Sequence, residues 1–386
     1  MLVRRSRKNV VGAVLFLSLP MAYLVLYGAG KLFQLHREWT KVPAPALPKI
    51  REITDLRKTS ATTQIRAIAQ HTPVKHDGFN RTLQHTTGKP LWTFNDENIA
   101  KIRRDIEDVC HLQKNIAMTK WNTWVGMAFP YDQEPRKIFR LTRTLFNLFP
   151  EKAPFEGQLF NTCSVVGNGG ILLNSGCGPE IDAADFVFRC NLPPLRGFEK
   201  DVGRKVNLTT MNPSILRIYY GRLETEKDRD DFAQKMVELK YSYLLIPIFV
   251  TIRGAKDVQI LSEFLMSRKD LFVKPLFPSK IWAKTVNIYW KLKSGSKLVE
   301  SRLTTGLQLL TTALSMCKHV NMYGYYPSEI SPSGTHIPYH YFEPNSTYNY
   351  TYGMGGIHNM TKEYEVVFQD MDVKRIARLR HQCNAP

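Results

Sequence analysis

Two histidines, His340 and His358, lie in an aromatic, glycine-rich stretch, and Glu363 follows five residues after the second. A single histidine is usually structural. Two on long loops beyond a strand end are better candidates for acid–base work, because imidazole titrates near neutrality. Upstream, Gly167-Asn168-Gly169-Gly170 follows an apolar run. Such glycines let backbone N–H groups approach a phosphate, and the Asn168 amide can bond a base or sugar. The run does not fit G-x-G-x-x-G, and a plain tight turn is an equal reading. Thr304-Thr305-Gly306 opens a helical pattern, where a threonine can cap and the free N–H groups with the helix dipole favour an anion. Asp228-Arg229-Asp230 and Asp370-Met371-Asp372 have a metal-binding Asp-x-Asp form. The first lies in alternating charge and the second in a helical stretch, so both read as solvated faces. No Cys/His spacing suggests zinc.

The elements that must position these residues alternate. Apolar runs at 164–166, 186–190, 206–211, 243–250, 271–276 and 320–323 predict six strands. Helical spacing predicts helices over 97–115, with Ile99, Ile102, Ile106 and Val109 on one face, and over 304–317. The expected fold is α/β, a doubly wound and mostly parallel sheet. Ligands in such sheets sit beyond the carboxyl ends of the strands, where the candidate residues fall.

The chain has 386 residues, 43% hydrophobic and 23% charged, with a formal net charge of +19. This excludes wholesale disorder, collagen-like repeats and a multi-span membrane protein, and it suits polyanionic partners. Arg4, Arg5, Arg7 and Lys8 precede an uncharged run from Val10 to Gly30. That run is long enough to span a hydrocarbon core and too long for a typical cleaved signal. The expected order is a cytosolic tail (1–9), a signal-anchor (10–30), a stem (31–95) and a lumenal catalytic body (96–386). Five sequons, at Asn80, Asn207, Asn345, Asn349 and Asn359, fit a lumenal body. Six cysteines could then form disulfides in 15 full pairings, which the sequence alone does not resolve.

Taken in order, four segments become specific. The stretch from Cys163-Ser164-Val165-Val166-Gly167-Asn168-Gly169-Gly170 through Arg189-Cys190-Asn191-Leu192 to Asn212-Pro213-Ser214 resembles the large sialylmotif of animal sialyltransferases. Leu303-Thr304-Thr305-Gly306 to Cys317 and Tyr323-Gly324 resembles the small one. His340-Tyr341 resembles the third motif, and His358-x4-Glu363 the very small one. The wording is most similar to the α2,8-linking branch, and to its ganglioside-type members over 117–170. Thr304 stands where the family usually has Ser, Tyr325-Tyr326 replaces Phe-Trp, and Phe342-Glu343 replaces Tyr-Asp.

The resemblance implies a Rossmann-like, variant glycosyltransferase-A fold. It also implies an inverting, metal-independent transfer of sialic acid from CMP-sialic acid to a sialylated glycolipid or glycoprotein in the Golgi. Asn168, Asn191, Asn212 and Tyr326 would hold the donor. Thr304, Thr305, Gly306 and His340 would meet its phosphate. His358 would be the base, with Glu363 orienting it or supporting the loop. Cys163 would pair with Cys317 and Cys177 with Cys383. Cys190 would be a buried thiol, and Cys110 has no assignment. No nucleic-acid partner is implied, and a homo-oligomer stays open. The alternatives are a polysialyltransferase using the basic run 274–302, another sialyl linkage, a catalytically silent glycan-binding protein, and a dinucleotide or methyl-donor enzyme on the glycine turn.

Overall fold

Short apolar runs build a seven-stranded sheet in which every pairing is parallel. In the computed structural model the described residues are 91–295, 297–298, 302–344 and 358–383, all within the unit Gly88–Pro386. The expected tail and span, most of the stem, and Asn80, Asn345 and Asn349 lie outside them. Among the described residues no helix is long and apolar enough to cross a membrane.

The chain enters through helix α1 (Asp96–Cys110) and a hairpin of β1 (Ala128–Pro130) and β2 (Ile138–Arg140). It then lays down β3 (Phe160–Val166), β4 (Phe186–Arg189) and β5 (Leu208–Thr210). Helices α2 (Ser214–Tyr219) and α3 (Glu226–Glu238) lead to β6 (Tyr243–Leu245), and α4 (Ile252–Ser267) leads to β7 (Lys274–Leu276). Helices α5 (Lys280–Lys293) and α6 (Thr305–Met316) bring the chain back to β8 (Cys317–Tyr323), and β9 (Ala377–Arg380) closes the sheet. The strand order is β7-β6-β5-β4-β3-β8-β9. Winding therefore reverses between β3 and β8, and the crevice beyond their carboxyl ends is the expected ligand position.

The central strands β4 and β5 are buried on both faces, as parallel strands covered by helices must be. Cys163, Val165 and Phe188 pack with α1, α5 and α6. Leu244 and Ile246 face the other way, toward Phe232, Met236 and Leu261. Helix α6 is buried from Gly306 to Met316, yet carries Thr311, Thr312 and Ser315. Their hydroxyls bond back to Leu307, Gln308 and Thr312 carbonyls, which makes the burial tolerable.

Several expected bounds change. The helix expected over 97–115 ends at Cys110, because His111 takes a left-handed φ of 46°, and a separate turn Leu112–Asn115 follows. Val109 is 40% exposed and Cys110 takes the buried position beside α6. The run expected as a strand to 250 leaves the ladder after Ile246 bonds Leu276, since Pro247 has no N–H to give. Ile248 and Phe249 stay buried as a loop. The 206–211 and 271–276 strands shorten to Leu208–Thr210 and Lys274–Leu276. β9 and the hairpin are additions. Both histidines therefore lie on the connection from β8 to β9, with a further strand after them.

Candidate active site

Two adjoining cavities open beyond the carboxyl ends of β3, β4, β5 and β8. The first, about 310 Å³, is lined by the glycine turn, Thr304 to Gly306, Tyr325, Tyr326, His340, His358 and Glu363. The second, about 550 Å³, is lined by α2, by Arg196, and by Lys235 and Glu238 of α3. Asn168, Asn191, Asn212 and His340 line both.

The glycine turn is built for close backbone approach, but not to a phosphate. A Cβ at Gly167 or Gly169 would lie 2.8 or 2.6 Å from the Gly324 carbonyl, and one at Gly170 would lie 2.0 Å from the Pro338 carbonyl. The three N–H groups are already engaged: Gly167 donates to Tyr323, Gly169 to Gly324 and Gly170 to Tyr339. Tyr341 N–H donates back to the Asn168 carbonyl at 3.0 Å. The turn thus fastens the His340 loop and the end of β8 onto β3. A phosphate-cradling role for these amides does not fit.

Asn168 donates Nδ2 to the Cys190 carbonyl at 3.0 Å. Its Oδ1 is buried without a hydrogen-bond partner among the described residues. A buried acceptor left open in a cavity wall is a place for a ligand N–H or O–H. Asn191 sits at φ 58°, a conformation asparagine tolerates better than most residues. Its Oδ1 accepts from Thr210 Oγ1 and Asn212 N–H, both at 3.3 Å, leaving Nδ2 as the remaining donor. Asn212 joins this arrangement through its backbone. Tyr326 is buried edge-on against Tyr364 and His381.

Thr304 caps α6, its Oγ1 accepting from Leu307 N–H at 3.2 Å. The same hydroxyl donates to Glu363 Oε2 at 2.5 Å, and Thr304 N–H donates to Oε1 at 2.8 Å. Thr304, expected to meet a phosphate, has its hydroxyl and N–H directed at Glu363 here. Thr305 and Gly306 follow at the positive end of the helix dipole. Gly306 cannot carry a side chain, since a Cβ would lie 2.6 Å from the Tyr325 ring. Burial raises the Glu363 carboxyl to about 7 despite its two bonds from Thr304.

Glu363 does not orient His358. His358 Nδ1 instead lies 2.5 Å from the Arg302 carbonyl oxygen, which can only accept. That fixes the proton on Nδ1 and leaves Nε2 as the basic nitrogen. Burial lowers the His358 pKa, which the Arg302 carbonyl partly offsets, so the neutral imidazole is favoured. His340 Nδ1 is 2.7 Å from Glu343 Oε2, and burial lowers its pKa against the raising effect of Glu343. Tyr219, from α2 in the second cavity, donates to Glu343 Oε1 at 3.2 Å. Tyr219 escapes sequence reasoning, because it lies beyond the end of the Asn212-Pro213-Ser214 motif and its partner Glu343 is 124 residues away.

The remaining motifs settle into supporting roles. Asp228 forms a capping box with Thr225, Asp370 pairs with Lys374, and Asp372 accepts from Leu379 N–H. Among the described residues no cluster of three His, Cys, Asp or Glu could hold a metal. Cys163 is bonded to Cys317 and Cys177 to Cys383, while Cys110 and Cys190 are buried thiols. In the basic run, Lys280 pairs with Asp132 and Lys293 with Asp105. Asn207 Oδ1 accepts from Val187 N–H inside the sheet, and Asn359 caps the helix Met360–Glu363.

A parallel sheet with a cavity at its winding reversal, lined by a helix N-terminus and two histidines, places the candidate site where α/β proteins hold their ligands. Residues 110–373 match the model of glycosyltransferase family 29 (sialyltransferase), and the chain belongs to that family. It is 33% identical over 290 residues to human alpha-2,8-sialyltransferase 8F, covering 75% of this chain and 70% of that one. It is 37% identical over 280 residues to the Xenopus laevis alpha-N-acetylneuraminide alpha-2,8-sialyltransferase, covering 71% and 73%. Among solved structures, that of a mammalian sialyltransferase aligns over 82% of this chain and 88% of its own, with 19% identity and a TM-score of 0.40.

Proposed function

We propose that this protein is an α2,8-sialyltransferase that moves sialic acid from CMP-sialic acid to a terminal sialic acid on a glycolipid or glycoprotein glycan, with inversion. The donor occupies the first cavity, with its nucleotide and sugar on Asn168, Asn191 and Tyr326. The acceptor enters from the second cavity, past Asn212 and Tyr219. His358 Nε2 takes the acceptor hydroxyl proton as that oxygen bonds the anomeric carbon and the bond to the CMP phosphate breaks. The departing phosphate meets the N–H groups of Thr305 and Gly306, an arrangement suited to developing anionic charge without a metal, and His340, whose Nδ1–H is held by Glu343, donates to it from Nε2 as the imidazolium.

The observation that carries this reading is the His358–Arg302 bond, which presents a basic nitrogen in the same cavity as the start of α6. The relatives named above support the linkage. Residues 1–9, 10–30 and 31–95 act as tail, anchor and stem, and hold the body 96–386 in the Golgi lumen. The full chain should be incubated with CMP-sialic acid and an array of sialylated and unsialylated glycolipids and glycoproteins, with and without a strong chelator. Transfer confined to sialylated acceptors, in α2,8 linkage and unaffected by chelator, is expected. Transfer to galactose instead, or loss of transfer restored by manganese, overturns the reading.

A further inference from the structure

The strongest surface feature outside the cleft is aromatic and basic. Trp121 is 75% exposed and Trp124 62%, with Val125 and Ile138 also open to solvent. The hairpin faces explain Ile138. Phe129 and Phe139 pair inward, so Ile138 and Arg140 point outward. Trp124 is held at the end of the same ladder, where Met127 N–H bonds its carbonyl and Gly126 N–H bonds Leu141. Trp121 lies under the Lys152 ammonium, 4.8 Å from the ring centroid.

Residues 120–152 carry six basic and three acidic side chains. Two of the acids are engaged, Asp132 by Lys280 and Glu151 by Lys120. Arg136, Lys137, Arg140, Arg143 and Lys152 are all exposed. Indole rings with basic residues beside them suit a bilayer interface: the rings sit at headgroup level and the cations meet anionic headgroups.

The patch also lies on the same end of the sheet as the cleft. Asp132 N–H bonds the Phe249 carbonyl, Gln133 N–H bonds Val250, and Phe129 stacks on Phe249. Those residues follow the carboxyl end of β6, and Thr251 then caps α4, whose Gly254 packs toward Pro213 at the start of α2. Ile218 and Tyr219 of α2 expose further apolar surface at the rim of the second cavity. We infer that Trp121, Trp124, Ile138 and the surrounding Arg and Lys residues dock the body onto the lumenal leaflet, where acidic glycolipids supply the anionic headgroups, with the cleft opening on the same end. The inference rests on the proposed function for the choice of leaflet and for its activity arm.

The test uses the full chain reconstituted in phosphatidylcholine vesicles containing phosphatidylglycerol, with acyl-chain-brominated lipid as quencher. Replacing Trp121→Phe and Trp124→Phe together should lower the fraction of tryptophan fluorescence that bromine quenches. An unchanged or increased fraction would place both indoles in water or against protein, and overturn the proposal. Arg136→Glu with Arg140→Glu should reduce quenching in the anionic vesicles more than in pure phosphatidylcholine, and an equal effect in both overturns the headgroup assignment. On a vesicle-held sialylated glycolipid the charge-reversed variant should lose about tenfold in kcat/KM. Its kcat/KM on the free headgroup oligosaccharide should be unchanged, and an equal loss on both acceptors again counts against docking. Absence of any transfer with normal quenching overturns the proposed activity while upholding the docking surface.

Discussion

Glu363 grips Thr304 twice, through the backbone N–H at 2.8 Å and the hydroxyl at 2.5 Å. The carboxyl is 1% exposed, so it fixes the entry into α6 from inside the protein. A residue of the final motif thereby sets the geometry of the helix terminus proposed above to meet the donor phosphate.

Burial of this carboxyl, against the opposing pull of the two Thr304 bonds, makes stability pH-dependent. The Glu363 carboxyl titrates at about 7 in the fold, against 4.5 for an ordinary glutamate. The folded protein therefore keeps a proton that the unfolded chain releases. Its contribution is full below about pH 4.5 and is lost as pH rises toward 7. Glu363→Gln removes this titration and should gain on the parent by of order 3 kcal/mol between pH 4.5 and 7. Urea unfolding of both proteins at several pH values measures it. Parallel stability profiles would show that Glu363 does not titrate in this range.

If His358 is the base proposed above, His358→Ala should reduce transfer by about 10²–10⁴-fold while CMP binding persists, because such a base acts on the acceptor. The acid limb of the parent's kcat/KM profile should fall below the ordinary histidine value of 6.5, since burial lowers this imidazole. Calorimetric titration with CMP separates the two roles. Loss of CMP binding together with activity would assign His358 to the donor instead.

Gly170→Ala forces a Cβ to within 2.0 Å of the Pro338 carbonyl, two residues before His340. Backbone rather than a flexible side chain must give way. Overpacking of this kind typically costs about 1–3 kcal/mol. A displacement of roughly 1 Å at His340 would cost about 10²-fold in rate. Thermal unfolding and kcat together check both parts. A variant with parental kcat would show that the His340 loop is not held by this turn.

The sheet was legible because buried parallel strands leave apolar runs such as 164–166 and 320–323, and winding followed from their alternation with helices. Strand ends were less so. At Ile246 the apolar run continues into a buried loop, and hydrophobicity does not distinguish the two. The candidate histidines and asparagines could be picked out from their places after strands and from the motif resemblance, and the fold brings them to the same cavities. Their partners could not. The bonds Glu363–Thr304, Arg302–His358 and Tyr219–Glu343 join residues 59, 56 and 124 apart in sequence, and only the packed chain brings them together.

Cys163, in the strand before the glycine turn, is bonded to Cys317 at the end of α6, 154 residues away. The bridge lies between β3 and β8, the two strands that flank the winding reversal and carry the two halves of the first cavity. Closing a loop of that length is worth roughly 5 kcal/mol in the chain-entropy model. Replacing both cysteines with serine should therefore lower the thermal midpoint and weaken CMP binding, because Gly167 and Gly324 approach each other from these strands. Cys177 and Cys383 tie a different region, where Cys383 N–H also bonds the Ser175 carbonyl, so their loss should lower stability with less effect on CMP affinity. Peptide mapping of the non-reduced protein should show the 163 region joined to the 317 region and the 177 region to the 383 region. A free thiol at Cys163, or equal loss of CMP affinity in both double variants, would remove the first bridge from the donor site.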